Sequence, residues 1–183
     1  MTDPARFDAV NPPTDPGLYW PIKRAFIAYV LRIADGQVMG SPGVTVVDSG
    51  TFVFAPAAHG DEPPHQPADD DADSEADNVL LFCGELRLQA HNGALGVRIA
   101  NPRIAFDSDG SDERACVLID HPDGSARPVP LATFVAAAEA DDTGLRRWTG
   151  TDVRLAVEAI SLFGGYYGEG EVFDDLTIVA APR

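Results

Sequence analysis

A chain of 183 residues with 45% apolar content is long enough for one domain with a core of its own. Its 29 acidic and 13 basic residues leave a formal charge of -16, which argues against nucleic acid and against an anionic membrane surface as partners. No stretch approaches the ~20 apolar residues that span a bilayer, and the start lacks the basic-then-apolar pattern of a secretory signal, so a cytoplasmic location is expected.

Residues 1–17, rich in Pro and Asp, read as a flexible N-terminal arm, with a single β domain over 18–183. The stretch WPIKRAFIAYVLRIADG predicts a helix that opens with Pro21 in its first turn and stops at Asp35-Gly36, the glycine supplying a left-handed residue. Ile22, Ala25, Phe26, Tyr29 and Ile33 recur at the spacing of one helical face. The Tyr29 hydroxyl on that face needs a partner, which the spacing leaves open: a protein group, a water or a ligand.

Beyond the helix the period becomes two residues. VTVVDSGTFVFAP reads as a hairpin turning at Asp48-Ser49-Gly50, and NVLLFCGELRLQA as one long strand. Next come a turn at Asn92-Gly93, a strand, a break at Pro102, another strand and a turn near Asp109-Gly110. VPLATF, VRLAVEAISLF and EVFDDLTIVAA supply further extended pieces, and ATFVAAAEA (residues 132–140) suggests a second short helix. The expected class is mainly β, an antiparallel β-sandwich-like single domain with one or two short α-helices.

An acidic, disordered insertion interrupts the pattern at 58–78; residues 61–77 hold eight acids, three prolines and no Lys or Arg, and His59 and His65 lie within it. It lacks the central glycine and closing glutamate of an EF-hand loop, so a calcium site is not expected. Cys83 and Cys116 are too few and too far apart for a zinc pattern, and two reduced thiols are expected. Phosphate-loop, nucleophile-elbow and H-E-x-x-H motifs are absent. Three features remain as candidates for chemistry: Tyr29, His91 before the Asn92-Gly93 turn, and the run LFGGYYGEG with Phe163, Tyr166 and Tyr167. Each also has a structural explanation, as a core tyrosine, an exposed turn residue and an aromatic edge.

Taken together, these residues resemble the HtaA domain, a family of haem-binding proteins of bacterial haem uptake. Leu18, Trp20, Lys23, Phe26, Tyr29 and Val30 follow the family's opening L-x-W-x-x-K-x-x-F-x-x-Y-V. HNGALGVRIANPRI is similar to its G-H-x-G-A-L-x-x-x-I-x-N-P-R stretch, with Ala90 in the place of the first glycine, and FGGYYGEGEVFDDLTI is similar to its F-G-G-F-Y end. The resemblance runs from about residue 17 to 180.

The resemblance implies a non-catalytic domain that binds one ferric haem b. It implies Tyr29 as the axial iron ligand, His91 as the hydrogen-bond partner of that tyrosine, and Tyr166 and Tyr167 packed on the porphyrin. Ile22, Phe26 and Phe163 complete the expected apolar contacts. Ala25 stands where the family often carries a serine that reaches a propionate; Lys23 or Arg24 is the cation nearest that place. The expected partners are haem and a protein that donates or accepts it, with the oligomeric state open. Two other readings stay on the table: a haem-free interaction or scaffold domain that keeps the fold, and an enzyme that modifies haem.

Overall fold

The computed structural model describes residues 13–47, 50–57, 78–107, 113–139 and 144–182. The arm as far as residue 12, the turn residues Asp48 and Ser49, the acidic insertion with His59 and His65, and the Asp109-Gly110 turn lie outside the described residues.

Among the described residues, twelve strands and one α-helix follow in order. They are β1 (Gly17–Trp20), α1 (Arg24–Arg32), β2 (Gln37–Gly40), β3 (Val44–Val47), β4 (Thr51–Pro56), β5 (Val79–Cys83) and β6 (Glu85–Ala90). Then come β7 (Leu95–Ala100), β8 (Arg103–Phe106), β9 (Glu113–Ile119), β10 (Val129–Glu139), β11 (Arg146–Leu155), a 3-10 helix (Val157–Phe163) and β12 (Leu176–Ala180). All described pairings are antiparallel, as the short two-residue-period segments imply.

The sandwich expectation needs amendment. The large sheet runs β1-β12-β11-β10-β9-β8-β5-β4, and β4 pairs back onto β1 through Leu18 with Phe54 and Trp20 with Phe52. The ring therefore closes into an eight-stranded barrel, with β3 paired along β4 on the edge opposite β1. Closure leaves the strands of the ring without free edges. Trp20, Phe52, Phe54, Ile104, Leu131 and Ile178 are fully buried within its core.

The second sheet, β2-β6-β7, branches from this ring. The expected long strand breaks at Gly84: β5 stays in the barrel, while β6 enters the small sheet. The return crossing falls at the expected Pro102 break, between β7 and β8. Asn101, in left-handed backbone (φ 46), locks the corner. Its N–H donates to the Gly84 carbonyl (2.8 Å), its side-chain oxygen accepts the Gly84 N–H (3.1 Å), and its side-chain amide donates to Asp120 (2.7 Å). Gly84 has φ 108, and a Cβ there would lie 2.7 Å from Val44 Cγ2 and 2.9 Å from the Gly43 carbonyl carbon. Gly84→Ala is therefore expected to destabilise the fold by about 1–3 kcal/mol through backbone strain alone. Urea denaturation would show this as a lower midpoint, and an unchanged midpoint would refute the packing argument.

Local propensity loses to long-range pairing at residues 132–140. Residues 132–139 of the expected second α-helix are the body of β10, paired on both sides with β9 and β11, with a register shift against β11 between Thr133 and Val135. Its burial alternates, with Ala132, Phe134 and Ala136 inside and Thr133 and Val135 outside, which is a strand pattern despite the alanines. The extended reading of VRLAVEAISLF holds only to Leu155, after which the chain winds into the 3-10 helix. EVFDDLTIVAA becomes a strand only from Leu176. Asn92-Gly93 turns as expected, and β3 and β4 form the expected hairpin.

Candidate functional site

Helix α1 is shorter than the sequence suggests, because Ile22 and Lys23 stand outside it. Ile22 has φ 63, a rare conformation for a β-branched residue. Its side chain is fully buried, and its carbonyl accepts the Asp174 N–H at 2.9 Å. The carboxylate of Asp174 then accepts the Arg24 N–H at 2.5 Å, and its carbonyl accepts the Trp20 indole N–H at 2.9 Å. No side chain of the helix's own N-cap, Lys23, caps it; the cap comes from 150 residues away.

The same segment binds Lys23. Its ammonium donates to the Val172 carbonyl at 2.6 Å and pairs with Glu171 at 2.8 Å, above the rings of Tyr167 (5.2 Å) and Phe173 (5.6 Å). Lys23 is thereby committed to the frame of the site. Arg24 is exposed and only loosely paired with Asp174, at 3.4 Å.

The buried face of α1 is Phe26, Ile27 and Val30, not the stripe through Ala25 and Tyr29. Ala25 faces solvent, and Tyr29 is 43% exposed. The expected position of Tyr29 on the apolar face is thus corrected: it stands at the solvent edge of the helix. Its hydroxyl lies 2.7 Å from Nε2 of His91.

His91 arrives from the far side of the chain. It opens the four-residue turn between β6 and β7, in which His91, Asn92 and Gly93 all have positive φ (56, 55 and 85). The end of α1 receives this turn. Gly36 is needed there for space rather than for a left-handed conformation, since a Cβ would lie 1.8 Å from the Val30 carbonyl oxygen. One residue earlier, the Asp35 carboxylate accepts the N–H groups of His91 (3.2 Å) and Asn92. The Asn92 N–H above all, with the His91 N–H and the imidazole, holds Asp35 below the ordinary carboxylate range. Asp35 holds the His91 turn here in a way its sequence context did not reveal, because an Asp before Gly at a helix end reads simply as a stop.

Three further expected site residues form the wall behind Tyr29. Phe163 is fully buried, with its ring 5.5 Å from Phe26, 5.9 Å from Tyr167 and 5.3 Å from Phe173, all edge-on. Phe26 is itself buried and touches Tyr167 edge-on at 5.9 Å. Tyr167 is partly buried, and burial pushes its phenol above its ordinary value; the Lys23 ammonium opposes this, while Glu171 and Tyr29 add to it. Tyr166, by contrast, projects into solvent at 68% exposure. Gly164 and Gly165 (φ 64 and 72) turn the chain so that the two tyrosines follow the 3-10 helix on opposite sides of the surface boundary. Ile22, Phe26 and Phe163 thus form a floor beneath the surface, whereas Tyr29 and Tyr166 are displayed on it.

Cys83 and Cys116 are free thiols, and burial pushes Cys116 up to about 11. Neither approaches the pair described above in sequence or in any recorded contact. Among the described residues, no group of three or more His, Cys, Asp or Glu is arranged to hold a metal ion, and no helix is long and apolar enough to cross a membrane.

Fold and site together define a closed antiparallel β-barrel with a hairpin arm and a short helix that present a phenol–imidazole pair at the surface. The chain belongs to the HtaA family, whose profile matches residues 15–179. Three solved structures from Corynebacterium glutamicum share the fold. The N-terminal domain of HtaA is 20% identical, with a TM-score of 0.66, 93% of this chain and 98% of that one covered. The C-terminal domain of HtaA is 22% identical, with a TM-score of 0.60 and coverage of 90% and 94%. The heme binding protein HtaB is 16% identical, with a TM-score of 0.61 and coverage of 90% and 91%. Comparison with curated protein sequences finds no match.

Proposed function

We propose that this domain binds ferric haem b through the phenol oxygen of Tyr29, and that it carries or buffers haem rather than transforming it. The observation that supports this most is the 2.7 Å contact between the Tyr29 hydroxyl and His91, formed by a phenol that is 43% exposed. Membership of the HtaA family and the fold shared with a heme binding protein point the same way. One protein oxygen is too few to hold a bare ion, but it would suit an iron already held by a porphyrin.

The residues present fit such a group. With the His91 proton on Nδ1, a neutral Tyr29 hydroxyl donates to Nε2; with the proton on Nε2, that nitrogen donates to the Tyr29 oxygen, as it would to a phenolate. His91 therefore accepts, shares or returns the proton that ligation displaces, and it fixes the ring's direction. Ferric iron supplies a hard Lewis acid that favours an anionic oxygen donor, and tyrosinate is an established haem ligand. Tyr166 offers exposed aromatic surface, and the partly buried Tyr167 packs edge-on against Phe26 and Phe163, in the same core cluster as Ile22. The neighbouring charges Lys23 and Glu171 pair with each other at 2.8 Å.

Titration of the purified protein with ferric haem tests the reading. The expected result is saturable binding with the charge-transfer absorption of phenolate-bound ferric iron. His91→Ala is expected to weaken binding by about 10–100-fold, the usual loss on removing a group that orients a ligand. Absence of binding at micromolar haem would instead favour a haem-free interaction domain.

A further inference from the structure

We infer that Asp35 is the positioning residue of the pair: its carboxylate ties the end of α1 to the first two N–H groups of the β6–β7 turn and so holds His91 against Tyr29 before any ligand arrives.

The sheet register places it there. Gln37 of β2 faces Gln89 of β6, so counting two residues outward along both chains sets Asp35 opposite His91. Tight packing of Gly36 on the Val30 carbonyl fixes the distance between this point and the helix that carries Tyr29. The turn needs such a partner. His91 and Asn92 both adopt left-handed backbone, which residues with a Cβ enter reluctantly. Consecutive residues of that kind point their N–H groups into one concavity, a natural seat for an anion. Asp35 fills that seat, accepting both N–H groups with its two oxygens. The turn's own hydrogen bonds do not set the orientation of the imidazole: they are Gly93 N–H to the Ala90 carbonyl (3.2 Å) and Ala94 N–H to the His91 carbonyl (3.1 Å).

The arrangement has a geometric consequence. Tyr29 and Asp35 leave the same short stretch of chain, and each bonds a different part of His91: one the imidazole, the other the main chain. The histidine is thus gripped at its ring by the helix and at its main chain by the segment that follows it. The ladder between β2 and β6 ends at Gln37 and Gln89, so the turn that carries His91 projects beyond the last strand pair, and the Asp35 clamp fixes it there. Preformed pairing lowers the ordering cost of binding. This last consequence rests on the haem reading above; the clamp does not.

The test uses Asp35→Ala, Asp35→Asn, His91→Ala and the double variant Asp35→Ala/His91→Ala, each in the full chain. In the ligand-free protein, nuclear Overhauser contacts between the Tyr29 and His91 rings are expected in the unmodified chain. They should be lost in Asp35→Ala and weakened in Asp35→Asn, which keeps a single acceptor oxygen, while signals from the barrel strands stay in place. Ring contacts of full strength in Asp35→Ala would overturn the inference. For bound ferric haem, transfer to an excess of apo-globin is expected to be about tenfold faster in Asp35→Ala. Adding Asp35→Ala to His91→Ala should bring no further acceleration, since the aspartate acts through the histidine. A fully additive double variant would show a merely structural role and overturn the inference. Failure of the unmodified protein to take up haem would defeat the haem reading and leave the ring contacts to decide the clamp.

Discussion

Tyr29→Phe is expected to abolish the charge-transfer band of the ferric haem complex and to weaken binding by about 100-fold or more, beyond the 10–100-fold typical of a group outside the ligand set. Phenylalanine keeps the ring and its contacts but has no oxygen for the iron. Folding should scarcely notice. The side chain is 43% exposed, and the hydroxyl's partner is His91, itself exposed, so the change in stability should stay within about 0.5 kcal/mol. Absorbance titration and thermal melting of the same samples separate the two effects. Retention of the band in Tyr29→Phe would move the iron ligand elsewhere.

Phe163→Ala should behave in the opposite way. Its ring is fully buried at the meeting point of Phe26, Tyr167 and Phe173. Truncation removes that contact and leaves a cavity, for an expected loss of about 3–5 kcal/mol. Set against the 5–15 kcal/mol that holds a typical domain together, this is a large share, so the urea midpoint should fall sharply. Phe163→Leu, which refills much of the volume, should recover part of the loss. Haem affinity at temperatures where Phe163→Ala remains folded is expected to drop less than in Tyr29→Phe, because the ring supports the wall from below. A loss under about 1 kcal/mol in Phe163→Ala would mean that the neighbouring rings close the gap.

The composition of the site was largely present in the chain's local pattern. A helix carrying Tyr29, a turn beginning with His91 and a glycine-flanked aromatic run can each be recognised within about a dozen residues, and their order matches one family. Most strands followed from two-residue alternation, and the tight turn at Asn92-Gly93 from its residue types. These signals are legible because they depend on neighbours in sequence: a face of a helix, the pleat of a strand, a glycine's backbone freedom.

Other features depended on distant parts of the chain. The run ATFVAAAEA favours a helix by itself and becomes a strand only because β9 and β11 both claim its hydrogen bonds. The helix start looked set by Pro21 but is set by Asp174, 150 residues on. Gly84, read as the interior of one long strand, proves to be the corner at which the chain leaves the barrel for a second sheet.

The Tyr29–His91 contact joins residues 62 apart. Sequence pattern supplies the chemistry of both side chains and the local shapes that display them. Their meeting follows from the corner at Gly84, the register of β2 on β6 and the carboxylate of Asp35. Each of these is a pairing between segments whose separation along the chain no local periodicity encodes, and whose closure is favourable only when the whole barrel forms around it.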